Sequence, residues 1–241
     1  MRTLRLTGCL LLVVVATGMP SSAHADSFIF GGTDNTANYL EVTTTTGTVI
    51  LSTDTNQILS GYNNQGWWSP DVGNSDDNAN FIVGTIAIDS FVAHYHDYFT
   101  FDITRLAGQT VTGVTLNIQN PGFNTSTGTY SVYDVSTDPY TLNANGNGPN
   151  TAIYDDLGSG NLYGSQTIPL FNDSEYFIAL NSFAVNDLQA AIDNGDTYFS
   201  TGGAFVGVPE PSTLVMSSLF AGAFGIAALR RNWSKSRKIS A

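Results

Sequence analysis

His94 and His96 stand two positions apart in Phe91-Val-Ala-His-Tyr-His-Asp97. On a strand that spacing puts both imidazoles on one face, which is half of a metal site. A zinc or cupin-type centre needs a third His or a suitably spaced carboxylate. The only other histidine is His24, near the N-terminus, and no Glu follows His96 within a dozen residues. The metallohydrolase pattern His-x-His-x-Asp-His also fails, because Asp97 follows His96 directly. The pair therefore reads as structural or surface histidines. Upstream, Asp71, Asp76, Asp77, Asn78 and Asn80 place five oxygen-bearing side chains within ten positions. Such a set suits a hard cation, and calcium is the one cofactor the chain suggests. The EF-hand spacing is absent, since the twelfth position from Asp76 is Ala87. A solvated Asp/Asn loop is the competing reading. Trp67-Trp68, with Tyr62 in an Asn/Gly-rich setting, is the best sugar-binding cue, because aromatic faces stack on the apolar faces of sugars. Adjacent strand residues point to opposite sides, so at most one Trp is expected in the core. Packing of both is the competing reading.

A glycosidase needs two carboxyl groups across a cleft. Nineteen acids between Asp26 and Val208 make a chance pair certain, so the sequence identifies none. Most lie in Asn/Gly/Asp turns, where turn hydrogen bonds and solvation explain them. No Gly-x-Ser-x-Gly elbow, phosphate loop or dinucleotide fingerprint is present. The expectation is a chain without a catalytic site.

Charge narrows the partners. The 241 residues carry 20 Asp and Glu against 8 Lys and Arg. Seven of the eight basic residues sit at the two ends, leaving Arg105 alone against those nineteen acids, a net of −18 for residues 26–208. Such a surface repels phosphate backbones and excludes a nucleic-acid reader. It also disfavours anionic lipids and substrates. With so few cations, like-charge repulsion is expected to raise carboxylate pKa values.

Arg2 and Arg5 precede an apolar run over 10–16, then Gly18-Met19-Pro20 and the small-x-small site Ala23-His24-Ala25. This is a signal peptide over 1–25, cleaved after Ala25. Leu6-Thr7-Gly8-Cys9 has the look of a lipoprotein box, but its apolar core follows the Cys instead of preceding it. Cys9 is discarded with the leader. The mature chain then has no Cys, which excludes disulfides, thiol catalysis and Cys-ligated metals. At the other end, residues 213–229 carry no charge and no proline. As a helix they would span about 25 Å, near the short limit for a bilayer. Arg230-Arg231 and further basic residues follow at once, so the tail is expected inside and the acidic domain outside.

Just before that span stands Val208-Pro209-Glu210-Pro211-Ser212. Pro-Glu-Pro, an apolar span and a basic cluster, in that order, resemble the PEP-CTERM sorting signal of exported bacterial proteins over residues 208–241. The resemblance implies recognition of Pro209, Glu210 and Pro211 by an exosortase, a membrane-embedded cysteine transpeptidase, with Arg230 and Arg231 as the stop. It also implies cleavage and passage to the cell surface or exopolysaccharide matrix. The two prolines hold Glu210 in an extended segment that a processing enzyme can grip without unwinding a helix.

Positioning falls to residues 26–207. Strands are expected over 27–30, 39–43, 49–52, 81–88, 91–103, 111–119, 130–135, 176–181 and 197–200, rich in Val, Ile, Thr, Tyr and Phe and separated by Gly/Asn/Asp/Ser clusters. Val114, Leu116 and Ile118 alternate with Thr115 and Asn117, as in a half-buried strand. No βαβ rhythm appears. The expectation is an all-β fold, an antiparallel β-sandwich of jelly-roll type, with one short helix over 188–192 capped by Asn186-Asp187 and stopped by Asp193-Asn194-Gly195, plus the C-terminal transmembrane helix. The loop 143–150 is pure turn chemistry and is expected to be exposed.

Asp54-Thr-Asn-Gln-Ile-Leu, a Trp/Gly/Asn-rich loop, and Asn80-Phe-Ile-Val-Gly84 lead into Asp97-Tyr-Phe-Thr-Phe-Asp-Ile103, the turn Arg105-Leu-Ala-Gly108 and Val111-Thr-Gly-Val-Thr-Leu116. This order is similar to the secreted DNRLRE-like β-sandwich modules over about 55–130, with Ile103-Thr104 for their Leu-Ser and Gly113-Val114 for their Ser-Ala. Tyr154-Asp-Asp-Leu-Gly-Ser-Gly160 and Tyr163-Gly164 resemble features of PEP-CTERM proteins with a related sandwich. Some such modules bind carbohydrate. The functional expectation is an exported, non-enzymatic surface or matrix protein, structural or adhesive and associated with extracellular polysaccharide. A carbohydrate-binding module is the alternative, and a secreted glycoside hydrolase the third reading.

Overall fold

The computed structural model describes residues 27–31, 38–74, 80–88, 90–121, 123–124, 127–170 and 173–207. The expected signal peptide with Ala23 and Ala25, the segment with Pro209, Glu210, Pro211, Arg230 and Arg231, and Asp76, Asp77 and Asn78 lie outside them. Among the described residues no helix is long and apolar enough to cross a membrane.

The fold is all-β, built from antiparallel strands in two sheets with few helices. One sheet runs β10 (Leu162–Ile168), β9 (Gly128–Tyr133), β12 (Tyr198–Gly207), β6 (Phe91–Asp102), β5 (Phe81–Ile88), β1 (Ser27–Gly31) and β8 (Phe123–Asn124). An eighth strand, β4 (Gln65–Trp68), pairs with β6. The other sheet runs β11 (Asp173–Leu180), β7 (Val111–Pro121), β2 (Tyr39–Thr44) and β3 (Gly47–Ser52).

The twelve-residue β6 organises the larger sheet. Its first half pairs with β5, Phe91 opposite Ile88 through Tyr95 opposite Gly84. Where β5 leaves, β4 takes over, with Trp68 opposite His96 and Gln65 opposite Phe99. On its other side, residues 97–102 pair with β12. Alternation along β6 sends Phe99 and Phe101 into the main core and Tyr98 to the opposite face. The chain then changes sheets through a 3-10 turn, Thr104–Leu106, whose first N–H and hydroxyl both donate to Asp102 Oδ1. Gly108, at φ +72°, completes this corner in a conformation that other residues rarely adopt.

The main core lies between the sheets. Leu40, Val42, Leu116, Ile118 and Ile178 come from the smaller sheet, and Phe81, Val83, Phe99, Phe101 and Val132 from the larger. Helix α3 (Ser182–Asn194) adds Ala184, Leu188 and Ile192, the i, i+4, i+8 stripe. A second, smaller cluster lies on the outer face of the larger sheet: Trp68, Tyr98, Leu142, Ile153 and Leu157. It is roofed by α1 (Pro139–Leu142) and α2 (Thr151–Leu157).

Three features correct the sequence reading. The helix expected over 188–192 begins six residues earlier, at Ser182, because Asn181 and not Asn186-Asp187 is the cap: its side chain accepts from the Phe183 N–H. Its end is as expected, at Gly195 in the left-handed conformation, φ +77°. Two further helices occur on either side of the loop 143–150, where the sequence reading placed no element, capped by Asp138 and Asn150 side chains that accept from the N–H groups of Thr141 and Ile153. The loop 143–150 is not exposed throughout. Asn143 is buried, and Asn74 clasps the loop by donating to the Ala144 carbonyl and accepting from the Asn147 N–H.

Candidate functional site

His94 and His96 do share a face of β6, but their partners separate them. The His94 N–H donates to Asp71 Oδ2 at 2.9 Å, and its Nδ1 lies 3.0 Å from the same oxygen. His96 Nδ1 meets the Tyr154 carbonyl at 2.6 Å, and its ring stacks on that of Tyr154 with centroids 3.8 Å apart. Burial lowers the His96 pKa, so the ring stays neutral and serves as packing between the sheet and α2. Gly158 makes this possible, because a Cβ there would strike the imidazole. Asp71 is thus spent on His94 and Asn80 on Trp67, whose Nε1 donates to Asn80 Oδ1 at 3.2 Å. Among the described residues no group of three or more His, Cys, Asp or Glu side chains could hold a metal ion.

The two tryptophans point to opposite sides, as strand alternation requires. Trp68 is buried beneath α1, with Nε1 donating to the Leu142 carbonyl at 3.1 Å. Trp67 is half-buried on the inner side and meets the edge of Tyr95 at 5.1 Å. Among the described residues no ring contact joins Tyr62 to either tryptophan, so the three do not form one aromatic platform.

What the structure assembles instead is a pair of clefts flanking α1. One, of about 500 Å³, has Trp68, Tyr140, Asn147, Asn150 and Ile153 among its walls. The other, of about 370 Å³, lies between residues 134–139, α3 and the start of β12, with Asp134, Asn161, Asp187, Asn194 and Tyr198 in its walls. The ridge between them is α1, and its exposed Tyr140 meets Tyr198 edge to face at 5.8 Å. Pro139 at the first helical position and Asp138 as cap explain why the ridge is a helix. Asp156 of α2 fixes the segment leading into it by accepting from the backbone and hydroxyl groups of Ser136 and Thr137. Burial pushes the Asp156 carboxyl up, but these four bonds outweigh it and hold its pKa below the usual range.

Among the described residues no lysine, arginine or histidine lines either cleft. The acids of the smaller cleft have local duties. Asp134 accepts from the Asn161 backbone and amide, Asp138 caps α1, and Asp187 accepts from the Tyr163 hydroxyl at 2.8 Å. Burial, then Asp187, pushes the Tyr163 hydroxyl far up, so it remains a donor. The clefts offer fixed oxygens, amides and an aromatic edge, which is the chemistry of holding a polyhydroxylated molecule.

The most deeply buried acid among the described residues lies elsewhere. Asp97, in the main core, accepts from the Tyr130 hydroxyl at 2.8 Å, and its Oδ2 has no partner. The contact passes over Gly203, where a Cβ would strike both groups. Burial raises the Asp97 pKa well above the ordinary carboxylate value and raises that of Tyr130 too. Arg105 neutralises no acid; its guanidinium donates to the Ile50 carbonyl at 3.4 Å. The ion pair among the described residues is His94–Asp71, charged only when His94 is protonated. The two carboxyl shifts, at Asp97 and Asp156, thus come from burial and hydrogen bonds, where the sequence reading expected like-charge repulsion.

Sequence reasoning passed over Tyr140. The signal that could have found it is Asp138-Pro139, a cap followed by Pro at the first helical position, which turns an Asn-rich stretch into a ridge. The chain matches no family model, no curated protein and no solved structure.

Proposed function

We propose that this chain is an exported, non-catalytic matrix protein whose β-sandwich holds neutral extracellular polysaccharide in the clefts beside α1. The observation that carries the reading is the exposed Tyr140, set against Tyr198 on a ridge between two clefts that lack any cation. An aromatic face packs on the apolar face of a sugar, and amide and carboxylate groups around it accept and donate to hydroxyls. The acid excess of the domain favours uncharged glycans over anionic ones. Binding without turnover is the reading because Asp134, Asp138 and Asp187 are each committed to a neighbouring protein donor.

Delivery follows from the ends of the chain. The leader directs export, the apolar span 213–229 holds the chain in the membrane with its basic tail inside, and Pro209-Glu210-Pro211 presents it to an exosortase-type enzyme for transfer to the cell surface or matrix. Two experiments test the two halves. In a binding titration with polysaccharide from the producing cell, Tyr140→Ala should weaken the component held in the clefts tenfold or more, and unchanged binding of every component contradicts the cleft as the site. Glu210→Ala should leave the protein membrane-bound and unsorted; normal release into the matrix would remove the motif's role.

A further inference from the structure

The smaller sheet turns its other face outward; α3 meets β7 and β11, and its Ala184, Leu188 and Ile192 join the core between the sheets. Val114, Leu116 and Ile118 of β7 fill the core, so Thr115, Asn117 and Gln119 face out. Register sets Tyr39 of β2 opposite Asn117 on one side and Phe177 of β11 opposite it on the other. Tyr39, Asn117 and Phe177 therefore form one row across three strands. Glu41 stands in the row on one side, opposite Thr115, and Glu175 in the row on the other side, opposite Gln119.

Three properties of this row point to a ligand. Phe177 is 56% exposed, a large ring on the outward face. Its backbone and that of Tyr39 are two strand spacings apart, about 9.5 Å, which lets alternate rings of one extended sugar chain lie over the two aromatics. Between them Asn117 is only 2% exposed, yet its Nδ2 has no hydrogen-bond partner. A hidden amide donor without an acceptor is unfavourable, and a sugar hydroxyl that enters as the side chains over it part is the acceptor it lacks.

We propose that this face is a second glycan-binding surface, taking an extended, non-anionic, β-linked polysaccharide across Tyr39, Asn117 and Phe177. It rests on the reading of the protein as a polysaccharide binder, and adds a second site on the opposite side of the sandwich from α1 and α2. One molecule then bridges two strands of matrix.

Charge selects the occupant. Burial first, then the Glu175 and Glu41 carboxylates, raise the Tyr39 pKa, which places both acids within electrostatic reach of its hydroxyl. They accept from hydroxyl groups and repel acidic sugars. The same acids oppose a second copy of this chain, whose identical face would bring its own Glu41 and Glu175 against them.

The test is titration calorimetry of the purified protein with cellohexaose and with hexameric N-acetylglucosamine, using hexagalacturonate as the anionic control. Phe177→Ala should weaken binding of at least one neutral hexamer tenfold or more, and Phe177→Trp should restore it. Tyr140→Ala should leave that component in place. Tyr39→Ala reports on the same row, and Phe177→Ala, on an exposed position, guards against a folding artefact. Binding that depends on Tyr140 but not on Phe177 overturns the second site and leaves the clefts standing. Binding that depends on Phe177 alone overturns the clefts. Loss of both, hexagalacturonate binding as tightly as the neutral hexamers, or light scattering that shows a dimer disrupted by Phe177→Ala, each overturns the proposal.

Discussion

The two outer faces of this sandwich share a strand chemistry and differ in what lies over them. On the larger sheet, Trp68 and Tyr98 are roofed by Leu142, Ile153 and Leu157, and the Trp68 indole N–H reaches the Leu142 carbonyl. On the smaller sheet, Phe177 stands open and the Asn117 amide has no acceptor. The difference comes from two short helices. Asn150 and Asp138 cap α2 and α1, and Asp156 ties the segment entering one helix to the body of the other. A covered face contributes stability and presents the helix ridge outward. A bare face contributes little stability and leaves its ring exposed.

The largest expected effect tests that division. Trp68→Ala removes the centre of the covered cluster and its hydrogen bond, and should destabilise the protein by about 3–5 kcal/mol. Phe177→Ala on the bare face should change stability by no more than about 0.5 kcal/mol. Thermal melts of both variants check the contrast, at roughly 2–4 °C per kcal/mol for a domain of this size. Equal losses would mean that the bare face is covered after all.

Next in size is Gly202→Ala. Gly202 pairs with Tyr98, and a Cβ there would strike the Leu157 backbone of α2. The variant should lift α2 from the sheet and cost about 1–3 kcal/mol. Unchanged melting would show that α2 is not in close contact with the sheet.

A smaller, pH-dependent effect separates the interior from the surface. The Asp97 pKa is raised in the fold, so the folded state holds its proton more tightly than the unfolded chain does. Its contribution is complete below the unfolded value of about 4 and is lost as pH rises through the folded value. Asp156 has the opposite sign: lowered in the fold, it stabilises above about 4 and its contribution is lost as pH falls through the folded value. Asp97→Asn should therefore flatten the decline of the melting temperature on the alkaline side, while the acid-side decline remains. An unchanged alkaline limb would dissociate Asp97 from the pH response.

Regular strands were legible in the residues. Phe81–Ile88 was read to both ends, because Phe, Ile, Val and Thr outweigh its one glycine. β4 was missed because Gln-Gly-Trp-Trp is four residues long within an Asn/Gly-rich stretch, and only pairing with β6 makes it a strand. β10 was missed because only Tyr163 and Ile168 of it are buried, as suits an edge strand, and Ser, Gln and Gly dilute its pattern. Asn150 was read as part of a turn and Asp138 was passed over, because the same side chains serve turns and helix caps. Of the candidate sites, the opposed tryptophans followed from alternation. The Tyr140–Tyr198 ridge and the row through Asn117 did not, since both depend on pairings between segments far apart in the chain.

The central claim is that this domain binds polysaccharide without cleaving it. The most direct measurement is a 1H–15N correlation spectrum of the labelled protein during titration with neutral oligosaccharide, followed by chromatography of the recovered sugar. The account predicts saturable shifts around Tyr140 and Tyr198, a second set around Asn117 and Phe177, and sugar of unchanged length. Shortened oligosaccharide would make the protein a hydrolase, and a spectrum unmoved by every neutral glycan tested would contradict the account.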